Sequence, residues 1–120
     1  MPGITNSPDA TDNFDVSGAD FYGASAAITG KKGAAILSPV ASPPGALQMT
    51  LAAPIAGTDD GKSLRIWSMG AYAHTVTCPA GGINGTSHLL TFTAAANNFV
   101  TLLAISGSWY ITGNTNVTAS

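Results

Sequence analysis

A chain of 120 residues with four Lys and Arg, six Asp and no Glu is only 8% charged, against about a quarter in an ordinary soluble domain. With so few cations and a net charge of -2, the chain cannot neutralise phosphates along one face, which excludes nucleic acid as a partner. No run approaches the roughly 20 apolar residues of a spanning helix, so no membrane partner is expected either.

One domain is expected at this length. Leu, Ile, Val and Phe make up about a fifth of the chain, a modest core, while the low net charge works against disorder. Burial between subunits would complete such a core and tie stability to assembly. The first cation is Lys31 and no apolar run follows Met1, so no secretory signal is expected. The single Cys78 excludes an internal disulfide and fits a reducing cytoplasm. Asn84-Gly85-Thr86 and Asn116-Val117-Thr118 then read as turn and strand-end residues rather than glycosylation sites.

Residues 1–23 contain Pro2, Pro8 and the acids Asp9, Asp12, Asp15 and Asp20, with scattered aromatics and no period. They read as an extended N-terminal arm that docks on a neighbour, with a disordered terminus as the alternative. Phe14, Phe21 and Tyr22 are its candidate anchors, docking on a partner or a neighbouring subunit, because they cannot form a core of their own.

Residues 24–120 read as a β domain. Short uncharged strands are expected over 24–29 and 34–37, around a solvated turn at Gly30-Lys31-Lys32-Gly33. Ser42-Pro43-Pro44-Gly45 breaks the chain, since adjacent prolines cannot pair inside a sheet. Leu47, Met49 and Leu51 alternate with Gln48 and Thr50, the period of a half-buried strand. Residues 57–61, Gly-Thr-Asp-Asp-Gly, supply turn chemistry into a strand with Leu64 and Ile66 on one face and Arg65 and Trp67 on the other.

The next strand, 73–78, sets His74, Val76 and Cys78 against Thr75 and Thr77, and a glycine-rich loop over 79–85 follows. Leu90, Phe92 and Ala94 alternate with Thr91 and Thr93. Ala94-Ala95-Ala96 is the one helix-compatible stretch, and Asn97-Asn98 ends it at once. Residues 99–105 are apolar on both faces apart from Thr101, as in a central strand, and Gly107-Ser108 turns the chain into Trp109. Many short strands with frequent turns predict an all-β fold, a β-sandwich or small β-barrel.

Candidate chemistry is sparse. Cys78 and His74 share one strand face about 13 Å apart, too far for a nucleophile and its base. Cys78 therefore reads as a small buried hydrophobe. His74 sits in an apolar phase, where a buried imidazole in the core or at a subunit interface needs a hydrogen-bond partner. His74, Cys78 and His88 lack the close spacing of a zinc module, and Asp59-Asp60-Gly61 offers too few oxygens for a calcium loop. Adjacent carboxylates on one turn cannot straddle a sugar, and the glycine loop lacks a phosphate-binding Lys. No catalytic residue, metal or cofactor is expected.

Residues 50–54 (Thr-Leu-Ala-Ala-Pro), 57–64 (Gly-Thr-Asp-Asp-Gly-Lys-Ser-Leu) and 73–77 (Ala-His-Thr-Val-Thr) resemble a recurrent phrase in small virion proteins of tailed bacteriophages. Gly82-Ile83-Asn84-Gly85, residues 91–95, residues 100–104 and Gly107-Ser108-Trp109-Tyr110 extend the likeness from Leu47 to Tyr110. The common Gly-Lys-Trp ending stands here as Gly107-Ser108-Trp109.

The resemblance implies a head decoration (cement) protein, a β-structured homotrimer clamped on the major capsid protein. It would sit on the capsid exterior of a virion assembled in the host cytoplasm. Family arms often make the capsid contact, and residues 1–23 lie outside the matched stretch. The alternative is a receptor- or carbohydrate-binding knob of a head or tail fibre, in which Trp67, Tyr72, Trp109 and Tyr110 would stack on sugars.

Overall fold

The computed structural model describes residues 19–31 and 33–120, and these form ten β-strands without a helix. The strands are β1 (Ala19–Tyr22), β2 (Ala27–Ile28), β3 (Gly33–Leu37), β4 (Gln48–Leu51) and β5 (Ser63–Ser68). They continue with β6 (Thr75–Thr77), β7 (Leu89–Phe92), β8 (Phe99–Ile105), β9 (Ser108–Thr115) and β10 (Val117–Ala119). One sheet has the order β1-β3-β5-β8-β9 and the other β10-β7-β6-β4-β2. Neither closes on itself, so the fold is a β-sandwich and the barrel alternative falls away.

The chain winds between the sheets. Successive strands from β1 to β6 alternate between them, so β1, β3 and β5 run parallel in one sheet and β2, β4 and β6 parallel in the other. Parallel neighbours need a crossover, and here each crossover is the intervening strand of the opposite sheet. Residues 57–61 do turn the chain, but from β4 of one sheet to β5 of the other. From β6 onward antiparallel pairing takes over: β7 folds back on β6, β8 on β5, β9 on β8 and β10 on β7. Ser106 and Gly107, both at positive φ (49° and 88°), form the two-residue turn between β8 and β9. That left-handed pair matches the twist of the strands it joins.

The inward rows follow the alternation. Met49 and Leu51, Leu64 and Ile66, Val76, Leu90 and Phe92, and Val100, Leu102 and Ala104 all fill the interlayer space. Trp109 is fully buried, and its indole N–H donates to the Ala52 carbonyl at 3.0 Å, which satisfies the ring's one polar atom. Strand β8 pairs on both sides, as its apolar composition predicts. Residues 94–96 make no helix, and Asn97 closes them off at φ 66°.

The last residues of the stretch expected as an arm, 19–22, form a strand. Ala19–Tyr22 is a paired edge strand in parallel register with β3, so the β domain begins before Gly23. Alternation at an edge needs only one inward residue in phase, and Tyr22 supplies it beside Leu37.

Candidate interaction surfaces

His74, immediately before β6, is completely buried. The Leu47 amide N–H donates to its Nδ1 at 2.8 Å, so the neutral ring carries its proton on Nε2. Nε2 has no partner among the described residues, and the ring lies edge-on to Phe92 and tilted against Tyr72. Burial pushes its pKa below the ordinary histidine value. His74 is thus a buried, hydrogen-bonded imidazole within its own chain's core.

Cys78 is also buried, and desolvation raises its thiol to about 11, which leaves it protonated and unreactive. No group of three or more His, Cys, Asp or Glu residues that could hold a metal comes together among the described residues.

Asp59 organises the connection between β4 and β5. Its Oδ2 accepts from the Ile55 amide at 2.7 Å and from Lys31 Nζ at 2.9 Å, and its Oδ1 accepts from Lys62 Nζ at 2.8 Å. The Ile55 amide first, then Lys62 and Lys31, hold this carboxyl well below the usual range. The nearby Asp60 Oδ1 accepts from the Ser106 amide at 2.8 Å and pins the β8–β9 turn.

Strand directions divide the connections between the two ends of the sandwich. At one end lie the links β2–β3, β4–β5, β6–β7 and β8–β9, and this end carries Lys31, Asp59, Asp60 and Lys62. At the other lie residues 23–26, 38–47, 69–74, 93–98 and Asn116, which contain no Asp, Glu, Lys or Arg. This uncharged end is rich in Ala and Pro and exposes Val40 (79%) and Met69 (45%). The charged end also exposes large apolar side chains, Ile55 (57%), Ile105 (43%) and Tyr110 (37%), so the two ends differ in charge rather than in exposed apolar groups.

The sheets also differ on their outer faces. Register aligns Phe21, Ile36, Trp67 and Phe99 in one row across the first sheet. Trp67 and Phe99 stack at 5.3 Å with planes 9° apart, and the Arg65 guanidinium sits 5.5 Å from the Phe99 ring centre. Phe21, on the edge strand, is 68% exposed. The second sheet presents a depression of about 590 Å³ instead, floored by the row Ala27, Thr50 and Thr77 and rimmed by Ala52, Pro79 and Lys31.

Of the residues singled out from sequence, Phe14 lies outside the described residues. Phe21 and Tyr22 are adjacent but face opposite ways. Phe21 is outward, while Tyr22 packs on the core edge with its hydroxyl accepting from the Thr29 amide at 3.3 Å. The four candidate sugar-stacking aromatics are dispersed. Trp109 is buried, Trp67 gives a face to Phe99, Tyr72 lies at the uncharged end, and Tyr110 follows the turn at the charged one. Val40, Met69 and the partnership of Ile36 with Trp67 escaped sequence reasoning. The proline-flanked Val40 was a visible signal, but no local pattern places β3 beside β5.

No protein-family model matches this chain, and no curated protein matches it.

Proposed function

We propose that this protein is a structural component of a tailed-bacteriophage virion, a non-enzymatic head decoration protein. It assembles as a homotrimer on the capsid exterior and bridges subunits of the major capsid protein. The resemblance over Leu47 to Tyr110 motivates the assignment, and the observation that carries it is the separation of charge between the two ends. Burying a charge against a partner costs several kcal/mol unless it is paired. An end with no charged side chain can be covered whole, without any matching ion on the lattice.

The mechanism is mechanical. Uncharged contacts from each copy add buried area across capsomer boundaries and resist the outward pressure of packaged DNA. Each contact is weak, and three in one trimer become strong through effective concentration.

Two exposed positions test this without disturbing the core. Val40→Asp with Met69→Glu should leave the melting temperature near that of the parent but weaken attachment to undecorated heads at least tenfold, about 1.4 kcal/mol. Co-sedimentation with the heads measures it, and electron cryo-microscopy of native particles gives the copy number. Unchanged attachment, or density at a single tail or vertex instead of across the lattice, would overturn the proposal.

A further inference from the structure

Residues 38–47 join β3 of one sheet to β4 of the other and carry the exposed Val40 of the uncharged end. We infer that His74 is an acid-released latch on this connection. When its ring takes up a proton, residues 38–47 part from the start of β6 and the uncharged end loses the shape that docks. The loss of docking rests on the function proposed above; the latch itself does not.

The connection is held at its two ends and exposed between them. At the first end the Ser38 and Val40 amides donate to the Tyr22 and Gly23 carbonyls at 2.9 and 3.1 Å. At the second, Leu47 makes both bonds. Its amide donates to His74 Nδ1 at 2.8 Å, and its carbonyl accepts from the Thr75 amide at 3.0 Å. Residues 41–46 are exposed, and Pro43 and Pro44 have no amide N–H with which to add a further tie.

Only a neutral ring closes the latch. Nδ1 is the acceptor, so a proton on it sets two donors against each other at 2.8 Å. Among the described residues the charged ring then finds no anion. It lies against Leu47, Tyr72 and Phe92, of which only the Tyr72 hydroxyl is titratable. The connections gathered at this end contain no Asp, Glu, Lys or Arg. Cys78, on the same face of the strand, keeps its thiol proton. On the facing sheet Asp20 and Arg65 are both exposed, and Arg65 turns outward over Phe99.

A buried imidazolium without a counterion has to reach water. His74 precedes the first paired residue of β6, and its carbonyl holds the Phe92 amide whatever the ring does. Freeing Leu47 is therefore the local way out, and the sheet need not unzip. An exposed imidazole titrates near 6.5 and the latched one below that value. Each unit of pH below about 6.5 then favours the open connection by up to tenfold, until the latched ring itself takes the proton. That window lies above the one in which Asp59 loses its charge.

The experiment uses the full chain at about pH 7.5 and about pH 4.5, on either side of the histidine range. Hydrogen exchange, corrected for intrinsic rates, should show protection of residues 38–47 falling at least tenfold while that of β8 holds. His74→Asn should not respond, because its Oδ1 takes the place of Nδ1 as acceptor and binds no proton. His88→Gln should behave as wild type, since His88 is exposed on the β6–β7 link at the other end. Nitrogen-15 NMR of the wild-type imidazoles reads the protonation of His74 without any substitution. Co-sedimentation with undecorated heads reads the consequence: attachment of wild type and His88→Gln falls at least tenfold in acid, and that of His74→Asn does not.

Protection lost equally in His74→Asn, or a His74 ring protonated while residues 38–47 stay protected, would overturn the latch. Opening in acid with attachment unchanged would overturn its hold on docking. Wild type that fails to attach even at neutral pH would overturn the proposed function alone, and exchange would still decide the latch.

Discussion

Asp59 and His74 are both almost free of solvent and have opposite solutions to the same cost. Asp59 stays ionised because an amide and two ammonium groups converge on its two oxygens. His74 stays neutral because, among the described residues, only the Leu47 amide hydrogen-bonds its ring and no acceptor meets Nε2. Their linkage to pH therefore falls in separate windows. The folded pKa of His74 lies below its unfolded value of 6.5, so the unfolded chain takes up its proton first and stability declines as pH falls below about 6.5. Asp59 has a folded pKa below its unfolded value of 3.8, so its contribution is whole above that value and is lost only as pH drops through and beneath it. Melting curves against pH should show an early decline absent in His74→Gln and a late one absent in Asp59→Asn. Variant curves parallel to wild type through both windows would refute the assignment. At this scale sequence reasoning reached the burial of His74 from its phase with Val76, but not the ligands of Asp59. Lys31 is 28 residues away, and only folding brings it to the carboxylate.

At the scale of elements, β1 is the instructive case. Its four residues lack any long alternation, and composition alone joins them to the acidic, proline-containing stretch before them. They are a strand because β3 offers an open edge, to which all four residues register, and because Tyr22 covers the core beside Leu37. Removing residues 1–18 should leave the urea unfolding midpoint near that of the full chain. Removing residues 1–22 should lower stability by on the order of 2 kcal/mol, the value of a large side chain taken from contact with the core. Equal midpoints for the two truncations would show that β1 adds nothing to the sandwich. Strands with a strict period, such as β4 and β5, were legible in advance because alternation is a local property. Their partners were not. The turn chemistry at 57–61 suits a hairpin as well as a crossover, and long-range pairing decides between them.

Across the whole molecule the winding topology turns a linear scarcity of charge into a polarity. Ionic screening acts within about 10 Å at moderate salt, so contacts between charged surfaces weaken steeply as salt is added. Attachment through the uncharged end should then change little between low and high salt, as measured by co-sedimentation with undecorated heads. A steep loss would place the contact at the end bearing Lys31, Asp60 and Lys62 instead. Composition and period by themselves determined an all-β chain, its inward rows, an inert Cys78 and a surface poor in charge, because those properties depend on neighbours a few residues apart. Only the tertiary structure decided that successive strands alternate between sheets, that the connections without charge gather at one end, and that Phe21 stands outward on one face while a depression opens on the other. Each of those depends on which distant strands share hydrogen bonds, and the pairing is selected by burial of the whole core rather than by any local pattern.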